Sequence, residues 1–148
     1  MEPKKFEIRC AVHLFLIVDN KILIEKRCNR DYCDGQYDVI ASHILGGEDA
    51  ITAIIRTAKT EVNIEIRPED LEIVQVIHQN SEGIEYINYF FKSNKYYGKI
   101  NNNELEFCEK LEWVDFKYPI ENMMEYINIA IKNYIENSHN KFTFYGWD

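Results

Sequence analysis

The residues whose types and spacing could do chemistry lie between Ser42 and Ile64. Ser42-His43-Ile44-Leu45-Gly46-Gly47-Glu48 reads as a loop with a glycine turn, and Asp49 to Val62 as a helix. On that helix Thr60 and Glu61 follow Thr57 by three and four residues. A helical repeat therefore predicts that all three project from one face. Arg56 stands beside them, and Glu48 precedes the helix. Carboxylates serve proton transfer, and the forked donors of arginine suit phosphate. Loop, turn and helix are expected to form one wall of a cleft.

That wall needs a sheet behind it. Ile51, Ile54, Ile55, Ala58 and Val62 recur at helical spacing and make the face that docks. Asp49 suits the N-cap, and Asn63 stands where the helix should stop. Ala11 to Val18 is aliphatic and reads as a strand, turning at Asp19-Asn20 into Ile22-Leu23-Ile24. Lys26 to Gln36 is polar and reads as a surface loop, with a short strand at Tyr37-Asp38-Val39-Ile40. Leu71 to His78 and Ile84 to Phe91 form a second hairpin around Asn80-Ser81-Glu82-Gly83, and Leu111 to Val114 is a further strand. Pro119 is expected to open a second helix, on which Ile120, Met123, Met124, Ile127, Ile131 and Tyr134 keep the period. Strands, helix, strands, helix is the order of an α/β layered domain with a mixed sheet.

The chain has 148 residues, expected to form a single domain over 1–148. Its 17 Lys+Arg against 25 Asp+Glu leave a net charge of -8, which repels a polyanion and argues against polymeric nucleic acid as a partner. A small phosphorylated ligand fits only if local arginines or a cation receive it. The longest apolar run, Leu14 to Val18, is too short to span a bilayer, and no signal-peptide core follows Met1. Cys10, Cys28, Cys33 and Cys108 match no zinc spacing and read as free thiols, which points to a reducing, cytoplasmic setting.

The stretch resembles the signature of the Nudix hydrolases, MutT-like proteins. In that signature a Gly, five residues, a Glu and seven residues precede Arg-Glu-aliphatic-x-Glu-Glu-x-Gly-aliphatic. The spacing is intact here, with Glu48, Arg56, Ala58, Glu61 and Ile64 on matching positions. Ser42, Thr57, Thr60 and Asn63 stand where the signature has Gly, Glu, Glu and Gly, so the box is degenerate. Ile24-Glu25-Lys26-Arg27, Tyr32-Cys33-Asp34-Gly35-Gln36-Tyr37, Glu112-Trp113 and Phe144-Tyr145-Gly146-Trp147 extend the likeness over nearly the whole chain.

The resemblance implies the Nudix fold, an α/β/α sandwich with a mixed β-sheet. It also implies attack of water on a diphosphate-linked small molecule, nucleotide-like, with Mg²⁺ or Mn²⁺ neutralising charge. Glu48, Arg56 and Glu61 are then the catalytic set. Glu61, Glu104 and the Ala41 carbonyl are the metal ligands, and Arg27, Tyr32 and Tyr37 bind substrate. Arg56 has a second role open to it, bracing the loop through Glu48. Threonine at 57 and 60 is a poor Mg²⁺ ligand and no base, so activity is expected to be weak, and Thr57→Glu with Thr60→Glu to raise it. Ser42 is expected to shift the loop if the backbone there needs a positive φ. The alternative is a non-catalytic ligand- or partner-binding module on the same scaffold. Relatives of this kind often pair, so a homodimer is also implied.

Overall fold

The computed structural model describes residues 2–148. β1 (Arg9–Val18) and β2 (Lys21–Arg27) form the first hairpin. Its turn residues Asp19 and Asn20 have φ of 52° and 62°, the left-handed pair that matches strand twist. β3 (Tyr37–Asp38) adds to β2, and β4 (Ile40–His43) runs antiparallel to β1. β5 (Glu72–Ser81) and β6 (Ile84–Ser93) make the second hairpin, and β7 (Cys108–Asp115) pairs with β2. β1 lies parallel to β6, so the sheet is mixed. Its order is β3-β2-β1-β6-β5-β8, with β4 on β1 and β7 on β2.

β8 (Phe142–Tyr145) was not legible as a strand. It lies parallel to β5, with Val76 opposite Phe142 and Gln79 opposite Tyr145. No local turn announces such a pairing.

α1 (Ala50–Val62) begins where Asp49 accepts the Thr52 N–H at 2.8 Å. It ends at Asn63, whose φ of 64° occupies the left-handed C-cap position. Asparagine tolerates that conformation almost as glycine does, so Asn63 replaces Gly without loss of the cap. Ile54, Ala58 and Val62 dock on Leu14, Leu16, Leu23, Ile40 and Phe91. On the opposite face, α2 (Glu125–Glu136) buries Ile127 and Ile131 against Phe15, Ile22, Ile24 and Phe90. Helix, sheet and helix form three layers.

α2 starts at Glu125, not at Pro119. The intervening chain finds other partners for its backbone. Asn128 holds both polar groups of Ile120, accepting its N–H and donating to its carbonyl, each at 3.0 Å. Met124 N–H donates to Tyr37 O, and Tyr37 N–H to Asn122 O. Residues 120–124 therefore pair with β3 while Ile120, Met123 and Met124 fill the core. Among the described residues no helix is long and apolar enough to cross a membrane.

Candidate active site

The polar stripe of α1 divides. Thr57 is fully buried, Thr60 is exposed, and Glu61 lines a cleft of about 650 Å³. The cause is helical geometry. Thr60 and Glu61 lie on opposite sides of the Thr57 direction, about 100° apart. Thr57 points at β4 between them. Its hydroxyl donates to Ala53 O at 2.7 Å and pairs with the Ser42 hydroxyl. Ser42 itself sits in β4 without a positive φ, so its backbone needs no glycine. Two hydroxyls thus fill one space between α1 and β4.

Glu48 and Arg56 form a bracket beside the cleft. Arg56 Nη2 donates to Glu48 Oε1 at 2.8 Å and to His43 O at 3.1 Å; Nε donates to Glu48 Oε2 at 3.0 Å. Glu48 also accepts the Leu45 N–H. The Arg56 hydrogen bonds hold Glu48 below the usual carboxylate range. Arg56 Nε and Nη2 and both Glu48 oxygens are spent on this bracket, which is a positioning arrangement.

Three carboxylates, Glu25, Asp38 and Glu61, line the cleft. Glu25 and Asp38 stand directly opposite each other on β2 and β3, both buried. Like charges so placed are unfavourable. Burial raises Glu25 well above its ordinary value, with Asp38 and Glu61 adding to the effect. Burial lifts Asp38 to about 6, against the pull of Arg27. Glu61 is lifted to about 8 by burial first, then by the charges of Glu104 and Asp38. Its Oε2 is buried and has no hydrogen-bond partner.

The cations are unequal. Arg27 Nη1 donates to Asp38 Oδ2 at 3.1 Å, and Nε and Nη2 donate to Tyr32 O. Its fork is spent on the protein. Arg30 makes no ion pair with any described residue; its guanidinium lies 4.8 Å over the Phe107 ring, and its buried Nε is unpartnered. Among the described residues that line the cleft, Arg30 is the cation left without an ion pair.

Of the other candidates, Tyr32 stands half exposed on the cleft rim and Ala41 lies at its base. The Ala41 N–H reaches the Glu61 carboxylate. In a strand, N–H and C=O of one residue point to the same edge. The Ala41 carbonyl therefore lies on the open edge of β4 near Glu61, as does that of His43, which Arg56 takes. Glu104 is brought close to Glu61 by a strap. Asn101 N–H donates to Val62 O, and Asn103 N–H to Glu61 O at 2.9 Å. Tyr37 is not in the cleft. It lines a separate groove of about 710 Å³ with Trp113 and Lys117, and its hydroxyl donates to Glu112.

Sequence reasoning missed the floor. His13 lies within β1, buried against Phe90, and burial pushes it down to about 4. The neutral ring has one hydrogen. It goes to Nδ1, since Nδ1 faces the Tyr89 carbonyl at 3.2 Å and a carbonyl only accepts. Nε2 then accepts from the Tyr126 hydroxyl at 2.8 Å. Asn88 and Gln79 complete the floor from β6 and β5. The signal was a polar residue on the inward phase of an apolar strand.

Comparison with solved structures decides the architecture. A MutT NUDIX hydrolase from Burkholderia pseudomallei is similar at a TM-score of 0.77 and 17% identity, over 86% of this chain and 98% of that one. The fold is the Nudix fold. A MutT protein from Methanosarcina mazei is similar at a TM-score of 0.77 and 12% identity, covering 92% of this chain and 100% of that one. A bifunctional NMN adenylyltransferase/ADP ribose pyrophosphatase from Francisella tularensis is similar at 0.71 and 18%, over 91% of this chain but 42% of that one. No protein-family model matches the sequence, and no curated protein does. At these identities the likeness carries the Nudix fold alone.

Among the described residues no three His, Cys, Asp or Glu side chains gather as a ready metal cage. Mg²⁺ does not require one. It keeps several waters and binds through one or two carboxylates. An unpartnered, buried Glu61 oxygen, with negative charge from Glu104 and Asp38 bearing on it, fits such a cation.

Proposed function

We propose that this Nudix-fold chain hydrolyses a diphosphate-linked, nucleotide-like small molecule with Mg²⁺ or Mn²⁺. The observation that carries the reading is the Glu61 carboxylate. It sits on the cleft wall with one buried oxygen unpartnered, beside an arginine that makes no ion pair. Glu61, Glu104 and the Ala41 carbonyl would hold the ion. When bound, it supplies positive charge against the phosphates and lowers the pKa of water.

The chain's own groups do the rest. Arg30 presents its fork to phosphate oxygens, and Phe107 keeps the guanidinium plane in place. Arg27 acts through structure, neutralising Asp38 and fixing the Tyr32 backbone on the rim. Tyr32 offers a ring face to the substrate. Glu48 and Arg56 hold the loop that carries His43 and positions α1. Tyr37 belongs to the other groove and takes no part.

The exposed Thr60 and sealed Thr57 favour a second reading, a cleft that binds the same ligands without turnover. One assay separates the two. Nucleoside diphosphate-linked compounds are incubated with the chain and Mg²⁺ or Mn²⁺, and monophosphate release is followed. The hydrolase reading expects metal-dependent release from at least one compound. Ligand-dependent thermal stabilisation with no release from any of them means a binding module.

A further inference from the structure

Gln75 and Gln79 lie on one strand, both almost fully buried, and differ in one respect. Gln75 is satisfied at both ends. Its Nε2 donates to Asn140 O at 2.9 Å, and its Oε1 accepts from Asn133 Nδ2 at 3.1 Å. Gln79 has one partner, Asn88, whose Nδ2 donates to Gln79 Oε1 at 2.7 Å. Gln79 Nε2 and Asn88 Oδ1 meet no described residue, although the two side chains are 5% and 2% exposed. Both residues line the cleft. Neither atom is sealed as Glu61 Oε2 is; each keeps contact with solvent, and within the cleft that both residues line it is open to a ligand. Here the open donor and the open acceptor face the same space.

Resting on the hydrolase-cleft reading above, we infer that Gln79 and Asn88 read the edge of a nucleobase-type heterocycle, one carrying a hydrogen-bond donor beside an acceptor. The pair's offer does not depend on which way the amides are turned. If both were flipped, Gln79 Nε2 would donate to Asn88 Oδ1, leaving Gln79 Oε1 and Asn88 Nδ2 open. One donor and one acceptor remain in either case.

The surroundings suit a flat ring. Tyr86 faces Gln79 across the β5–β6 ladder and lies on the same face two residues before Asn88. Tyr126 closes the side nearest α2. Its hydrogen is committed to His13, so toward the cleft it offers lone pairs only. The sheet also sets the distance. Ala41 is opposite His13, and Ala11 opposite Asn88, on strands β4, β1 and β6, with β5 beyond. Two strand spacings of ~4.8 Å put Asn88 roughly 10 Å across the sheet from the Ala41 end of the cleft, and three put Gln79 roughly 14 Å from it. A ring held there directs its phosphates toward Glu61 and Arg30.

The test measures binding without metal and without turnover, so its outcome is separate from that of the hydrolase assay. The probes are AMP, GMP, CMP and UMP, with ribose 5-phosphate as the ring-free control, titrated into the full chain by calorimetry. At least one nucleotide should bind about tenfold or more tightly than ribose 5-phosphate. N-methylation of that nucleotide's edge donor, as in N3-methyl-UMP or N1-methyl-GMP, should remove the advantage on the unaltered chain. Gln79→Met with Asn88→Leu should remove it as well; deleting both partners together leaves neither orphaned. Four nucleotides that bind no better than ribose 5-phosphate overturn the inference. So does an advantage that survives the methylated probe. Ring-dependent binding with no turnover would leave the inference standing and remove the hydrolase.

Discussion

Glu61→Gln is expected to lower kcat/KM for metal-dependent hydrolysis by ~10²–10⁴. Glutamine keeps the size and the burial of the side chain and removes the carboxyl group that, on the proposed reading, would give up its proton to hold the cation. The same variant should be more stable than the parent in alkali, which separates lost chemistry from lost folding. Glu61 is lifted to about 8 in the fold from an ordinary 4.5, with burial the largest cause. A carboxyl so raised contributes stability that is fully present below pH 4.5 and is lost as pH rises through 8. Above pH 8 the parent carries a buried charge, and Glu61→Gln should gain on the order of 2–4 kcal/mol over it. Near pH 4 the two should be equal. Urea unfolding across that range measures the difference. Equal stabilities at pH 9 would mean that Glu61 is solvated rather than set into the wall.

Thr57→Glu is expected to cost roughly 3–5 kcal/mol of stability, the range for an uncompensated buried charge. The likeness to the signature predicts that glutamates at 57 and 60 together raise activity, and this cost in stability stands against that. Thr57 has no exposed surface, and its hydroxyl meets Ser42 and the Ala53 carbonyl. A carboxylate there displaces both contacts and finds no water. Ser42→Gly in the same chain should recover part of the loss, since it opens the space that the Ser42 side chain fills; adjacent sites couple in this way. Thr60→Glu, on the exposed side, should stay within about 0.5 kcal/mol of the parent. Neither Thr57→Glu alone nor Thr60→Glu is now expected to raise turnover. Denaturant midpoints of the single and double variants measure these effects. A stable, more active Thr57→Glu would show that the Ser42–Thr57 pair does not close the site.

What could be read from the chain follows from what is local. The apolar spacing of Ile51, Ile54, Ala58 and Val62, with Asp49 in front, states α1 almost to the residue. The Asp19-Asn20 turn states the first hairpin. β8 escaped because its partner β5 is some sixty residues away and parallel. The start of α2 escaped because the Asn128 side chain and the Tyr37 backbone capture residues 120–124, contacts no periodicity reveals. At the site, the likeness to the signature pointed to Glu48, Arg56 and Glu61; the structure pairs the first two and sets Glu61 on the cleft wall. Helical spacing set Thr57 and Thr60 on one face with Glu61, whereas the 100° between Thr60 and Glu61 leaves one in solvent and the other on the cleft, with Thr57 buried between them. Arg27 was legible as a cleft residue; that Asp38 and the Tyr32 carbonyl consume its donors was not. The pairing of Glu25 with Asp38 depends on strand register, and register depends on the whole sheet.

Capture of a divalent cation at Glu61 is the claim on which the enzymatic reading stands. Mn²⁺ titrated against thermal unfolding tests it directly, in the parent and in Glu61→Gln side by side. A ligand held only by the native state adds ~2.7 kcal/mol at a hundredfold excess over Kd. The melting temperature of the parent should climb with Mn²⁺, following the logarithm of its concentration once that exceeds Kd, while that of Glu61→Gln stays flat. A parent that does not respond, or a variant that responds equally, would contradict it.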